Sequence, residues 1–247
     1  MSTFRHVTKA PAWRKLAAML LRLLAPAVLV LAISSAPALD LDVKDVFMKL
    51  PASCFDEWPG EDPKLIKDPS NRKTLINTPG EKVEEVGRRM LVWKVEADTK
   101  NGFIKIDSGG DGEGAIFTMA LWNCKDGTKL AGVAIEQWTN VANDTNHISF
   151  WKVEGDKLTE VTKDILPDLA LTSFYSDKRH DLVKKAQKDD FRWWWHLPQK
   201  GTTIDLTAPA IELIEEYEPL ANPDHAYEGR WDGKKFTWVK VKPKTVE

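Results

Sequence analysis

The sequence predicts a mainly β protein. The expected form is an antiparallel hairpin meander of about ten strands, curled into a barrel, sandwich or propeller-like sheet, with short N-terminal helices and one inserted helix. Three observations predict it. From Met90 onward the apolar period changes to two. Five turn signals containing Gly separate the apolar runs. Nine of the 11 tryptophans fall in or beside those runs, and aromatic residues fit a pleated surface.

Residues 39–89 read as a helical cap and loop, and 90–247 as an antiparallel domain packed with that cap as one unit. Val43, Val46, Phe47 and Leu50 have helical spacing, and Pro51 stops the helix. Asp62-Pro63 offers a capping Asp followed by Pro in the first turn, so a second helix is expected through Lys64 to Leu75. Asn77 to Arg89 is polar and broken by Gly and Pro, which predicts loop. Leu91, Trp93 and Val95 then alternate with Val92, Lys94 and Glu96. Asn101-Gly102 turns that strand into Phe103 to Asp107, because both residues tolerate positive φ. Ala115 to Trp122 and Leu130 to Trp138 are apolar on both faces, which predicts central strands joined at Asp126-Gly127. Three further hairpins are expected: His147 to Val153 with Lys157 to Val161, Phe191 to Leu197 with Thr202 to Leu206, and Tyr227 to Trp231 with Phe236 to Val241. Ser176 can cap a polar helix over Asp177 to Lys188 whose buried stripe is Leu182, Val183 and Ala186. Residues 207–226 carry no pattern that assigns them.

Trp93-Lys94-Val95-Glu96 recurs as Trp151-Lys152-Val153-Glu154, each on the first strand of a hairpin. Turn spacing is uneven, so this is repeated hairpin use rather than a solenoid with a fixed period. One set of turns and strand edges carries a resemblance: Asn101-Gly102-Phe103, Trp122 before Lys125-Asp126-Gly127, Phe150 before Glu154-Gly155, Leu166-Pro167, and Leu197-Pro198-Gln199-Lys200-Gly201-Thr202. Over most of residues 44–206 the chain resembles a group of uncharacterised exported bacterial proteins. The resemblance implies export and a β-rich fold, and no activity.

Residues 1–38 read as a signal peptide. Arg5, Lys9, Arg14 and Lys15 form a basic start, Leu23 to Ile33 an apolar stretch, and Ala36-Pro37-Ala38 a cleavage site that leaves Leu39 first. The apolar stretch is short of the ~20 residues that span a bilayer, and counting from Leu16 puts Arg22 inside it. The expected location is periplasmic or secreted, with no transmembrane segment after cleavage. No Cys follows the apolar stretch, which argues against lipid anchoring. Cleavage removes five basic and no acidic residues, leaving 209 residues at net −7. That balance argues against nucleic acid, which needs a basic footprint. Both cysteines, Cys54 and Cys124, fall in the mature part. In an oxidising compartment the pair predicts one disulfide, worth roughly 4 kcal/mol in the chain-entropy model.

Catalytic signatures are sparse. Asp107-Ser108-Gly109-Gly110 resembles the nucleophile segment of chymotrypsin-like proteases, but Ile106 replaces the Gly before the Asp, and only His6 precedes Ser108. The expected reading is a Gly-rich hairpin loop. Asp107, Asp111 and Glu113 could offer oxygen ligands, yet Thr118 stands where a calcium loop needs its last Glu. No metal, P-loop, dinucleotide or nucleophile-elbow motif occurs, so no cofactor, metal or catalytic residue is assigned. The Trp193-Trp194-Trp195 run is the best pointer to a surface. Alternation puts Phe191, Trp193, Trp195 and Leu197 on a core face and Arg192, Trp194 and His196 on the other. The expected function is a non-enzymatic exported module that binds an envelope or extracellular ligand. The alternatives are a carbohydrate or peptidoglycan binder using exposed Trp, and a hydrolase with an unidentified site.

Overall fold

The computed structural model describes residues 41–56, 58, 66–78, 80–86, 89–110, 113–139, 145–188, 193–208 and 215–244. Eleven antiparallel strands form two open sheets, and there is no closed barrel. The first sheet has seven strands in chain order: β1 (Gly80–Val86), β2 (Arg89–Asp98), β3 (Phe103–Gly110), β4 (Glu113–Asn123), β5 (Lys129–Thr139), β6 (Thr145–Glu154) and β7 (Lys157–Glu160). The second has four: β8 (Trp194–His196), β9 (Thr203–Thr207), β10 (Ala226–Trp231) and β11 (Phe236–Val241). The expected ten-strand meander therefore holds, with β1 added where a loop was expected. β1 is Gly-Glu-Lys-Val-Glu-Glu-Val, too charged to read as a strand alone; the ladder to β2, from Gly80 opposite Val95 to Val86 opposite Arg89, makes it one.

The apolar doubling of the β4 and β5 sequences has its cause in the layering. β4 is the middle strand, and both sheet faces are covered. Along β4, Ala115, Phe117 and Met119 point to one core, and Ala120 and Trp122 to the other. The first core lies under a cap of α1 (Val43–Lys49), a 3₁₀ turn (Ala52–Phe55) and α2 (Pro69–Asn77). Asp42 and Asp45 close a capping box at the start of α1. α2 starts as the sequence chemistry demands, with Asp68 capping and Pro69 in the first turn; it is a later Asp-Pro than the expected Asp62-Pro63, which lies outside the described residues. The end of α1 is finished by Arg72 of α2, only 2% exposed, whose guanidinium donates to the Phe47 and Leu50 carbonyls at 2.9 and 2.8 Å.

The second core is shared with the four-stranded sheet, making a sandwich on that side. Phe103, Trp122, Leu130 and Phe150 of the first sheet meet Trp195, Ile204, Leu206, Tyr227 and Phe236 of the second. Helix α3 (His180–Lys188) adds Val183 and Ala186, and Leu182 packs at its margin, the stripe its sequence predicted. Its approach is a 3₁₀ turn, Asp177–Arg179, and Ser176 makes no side-chain cap bond; the Ser176 amide donates to Asp224 instead. Arg179 holds residues 219–224 by donating to the Pro219 and Asn222 carbonyls and pairing with Asp224. Of the unassigned 207–226, Glu215–Leu220 is a 3₁₀ helix whose Tyr217 and Leu220 join this core. No helix among the described residues is long and apolar enough to cross a membrane.

The expected Cys54–Cys124 disulfide is absent, and both thiols are free. Cys54 packs in the cap-side core, whereas Cys124 packs against the sandwich core. Cys124 shares its face of the strand with Trp122, two residues earlier, so the seven-stranded sheet lies between the two sulfurs. The sequence shows the pair; only the layering shows that they are on opposite faces.

Candidate functional site

The Trp193–Trp195 run divides as alternation requires. Trp195 is buried against Trp193 and Trp238, with ring centroids 6.1 and 5.8 Å away. Trp193 is half-buried at the edge of the same core. Trp194 is half-buried and His196 exposed on the outer face, their rings 6.5 Å apart and tilted 34°. Arg192, the third residue expected there, lies outside the described residues. The edge of β8 is gripped from the first sheet: the buried Asn146 amide reaches both the N–H and the C=O of Trp195, each at 3.4 Å.

The strand register builds the surroundings of this aromatic pair. Trp194 stands opposite Thr207 and His196 opposite Asp205, which in turn faces Glu228. Lys244 Nζ lies 2.6 Å from Asp205 and 4.0 Å from Glu228, and Arg230 donates to Glu228 at 3.0 Å. The outer face is thus an indole and an imidazole bordered by a lattice of paired charges. Crowding around the His196 ring pulls its pKa below the ordinary value; Asp205 opposes that shift and Lys244 adds to it. The residue is exposed overall, and Thr207 Oγ1 approaches its Nε2 at 3.4 Å. Asp205, Glu228, Arg230 and Lys244 were missed by sequence reasoning. The signal for Asp205 was the polar parity of Thr203-Ile204-Asp205-Leu206-Thr207, visible only once β9 is known to border β8; Glu228, Arg230 and Lys244 come from β10 and the segment after β11.

A second feature had no sequence signal. A cleft of about 190 Å³ opens between the cap and strands β5 to β7. Its floor is Val133, Ile135 and Trp151, and Ser53, Cys54, His147, Ser149 and Glu160 supply polar groups. Alternation on β6 brings His147, Ser149 and Trp151 to one face, and the ladder sets Glu160 of β7 beside Trp151. Trp151 Nε1 donates to Ser149 Oγ at 2.9 Å, and Glu160 Oε1 accepts from Thr162 at 2.9 Å. A thiol and an imidazole in one cleft invite a nucleophile reading. Burial pushes the Cys54 thiol up to about 12, against the opposing effect of Arg72, with Glu160 and Asp56 raising it further. It is therefore protonated at neutral pH, and the thiolate is the nucleophilic form.

The Asp107–Gly110 segment is not a loop. It is the end of β3, and Ser108 is 7% exposed between Trp93 of β2 and Ala115 of β4. The strand ladder, rather than turn chemistry, claims it. Among the described residues no three His, Cys, Asp or Glu side chains are grouped so as to hold a metal ion.

Of the described tryptophans, Trp58, Trp93, Trp122, Trp151 and Trp195 are buried, and Trp193, Trp194, Trp231 and Trp238 are half-buried. The high Trp content is chiefly core construction. No family model and no curated protein matches the chain. Among solved structures it is similar to a domain of an uncharacterized protein from Porphyromonas gingivalis W83, with a TM-score of 0.51 and 17% identity over 80% of this chain and 97% of that one. This likeness concerns the fold alone, and it is consistent with the resemblance to uncharacterised bacterial proteins.

Proposed function

We propose that the protein is a non-enzymatic binding module, exported through the signal peptide of residues 1–38 and acting in the periplasm or outside the cell. The observation that carries this reading is the outer face of the four-stranded sheet. It presents Trp194 and His196 side by side on a rigid ladder, ringed by Asp205, Glu228, Arg230 and Lys244. An amphipathic ring pair with a polar border has the character of a binding surface rather than of idle exterior. Its ligand is an envelope or extracellular molecule. A sugar ring of a glycan or of peptidoglycan is the alternative, supported by the half-exposed indole; the tilted partner is an imidazole rather than a second indole, which limits stacking to one ring.

The test is a glycan panel and a pulldown on isolated peptidoglycan with the wild type and Trp194→Ala. The expected result is a retained ligand that Trp194→Ala loses while its melting temperature stays close to wild type. Equal retention by both would overturn the surface as the binding site. Intact-mass analysis of the exported protein tests export separately, with Leu39 as the expected first residue.

A further inference from the structure

The cleft under the cap lies on the other side of the seven-stranded sheet from the sandwich and is independent of the Trp194 face. We propose that it is a binding site for a small primary amine carrying a short alkyl chain. The cleft's volume of about 190 Å³ is below the ~300–1,000 Å³ of sites for drug-sized ligands, so the occupant is small. Shape and polarity come next. Val133 and Ile135 form an apolar floor that suits an alkyl chain. Charge then selects the head group. Among the described lining residues Glu160 is the one carboxylate, and none is Lys or Arg.

Three details sharpen the choice of a cation. Thr162 occupies Oε1 of Glu160, which leaves the second carboxylate oxygen to accept from an ammonium group. Trp151 brings an indole into the lining, a ring type that attracts cations over its face. Ser149 Oγ accepts from that indole, which fixes the hydroxyl beside it, and its second lone pair can accept from an ammonium group. An anion would meet the Glu160 carboxylate, the only charged carboxylate among the described lining residues, and a neutral alcohol would leave that carboxylate unused. Because Glu160 is exposed, its ion pair is weak, and the affinity is expected to be modest.

The experiment is a titration of the ¹⁵N-labelled chain with n-butylammonium, n-butanol and butyrate, read as amide and indole NMR shifts. Saturable shifts with n-butylammonium are expected at Ser53, Ser149 and the Trp151 indole, with several-fold weaker binding of n-butanol and none of butyrate. Glu160→Gln keeps the Thr162 contact and changes only the charge. It is expected to reduce n-butylammonium affinity several-fold, to the level of n-butanol, with the remaining spectrum unchanged. Absence of saturable shifts, equal binding of all three probes, or unchanged affinity in Glu160→Gln would each overturn the proposal. Trp194→Ala is expected to leave this titration intact, so failure here and failure of the outer face are read separately.

Discussion

On one face of the seven-stranded sheet, Phe117 meets Phe47 and Phe55 of the cap, each with ring centroids 5.4 Å away. On the other, Phe150 meets Phe236 of the second sheet at 6.0 Å and Trp122 at 6.4 Å. The two covers solve different problems. A helical cover brings helix ends over the core, and their carbonyls must be satisfied. Arg72 does this for α1 while its guanidinium lies 5.1 Å from the Phe55 ring centroid, a cation resting on aromatic faces. A sheet cover brings no helix ends, but it must admit whole indoles between two ladders. Glycines make that room: a Cβ on Gly132 would stand 2.8 Å from Trp122, and one on Gly229 would stand 2.7 Å from Trp238. The lesson is that hydrogen bonding limits the cap face and volume limits the sandwich face.

The largest effects should come from emptying either layer. Phe117→Ala and Phe150→Ala remove rings that are fully buried on opposite faces, and each should cost about 3–5 kcal/mol in denaturant unfolding. Comparable losses would show that both covers belong to one cooperative unit; a benign result at either position would make that cover peripheral. Gly229→Ala is the next largest, and it acts on the sandwich face alone. The added methyl must displace the Trp238 ring, with a cost of about 1–3 kcal/mol. Combining it with Trp238→Leu should recover part of that loss, a coupling that a double-mutant cycle measures. If the two changes add independently, the glycine is not making room for that indole.

The smallest effect compares the faces by pH. Asp68 caps α2 on the cap side, and hydrogen bonds from Ser70 hold its carboxyl below the ordinary value. Asp224 belongs to the sandwich side, held low first by Arg179 and then by the Ser176 amide. For both, the folded pKa lies under the unfolded one. Their stabilisation is therefore complete above the unfolded value of about 3.9 and is lost as pH falls through the folded value. A melting-temperature profile should fall below about pH 4 in the wild type and fall less steeply in Asp68→Asn and in Asp224→Asn. An unchanged acid slope in one variant would assign acid sensitivity to the opposite face.

Ten strands were legible because their turns were. Gly102 has φ +68°, and a side chain there would crowd the Leu121 carbonyl at 3.1 Å, so Asn101-Gly102 marks a chain reversal by necessity. β1 was not legible, because its strand character comes from β2 rather than from its own residues. The Trp194 face was half legible. Alternation separated Trp194 from Trp195, but the charges around it come from β9, β10 and the segment after β11. The cleft was not legible at all. Its residues come from the cap and from three strands, and only the ladder registers bring 53–54, 133–135, 147–151 and 160 together.

Both sheets run in chain order, every ladder joining a strand to its neighbour in sequence. Most hairpins can therefore accrete one at a time as the chain emerges, each closing a short loop, whereas pairing β9 (to Thr207) with β10 (from Ala226) closes a long connection. A further exception is the closure of the sandwich. Phe103, Trp122 and Phe150 belong to the early strands, yet Phe236, which caps them, arrives near the end. A chain interrupted before β10 has its large sheet complete, but Trp122 and Phe150 lack the Phe236 ring that packs on them. Nascent and truncated chains of this architecture are thus sticky on one side only, and the last hairpin is what makes the molecule safe in a crowded solution.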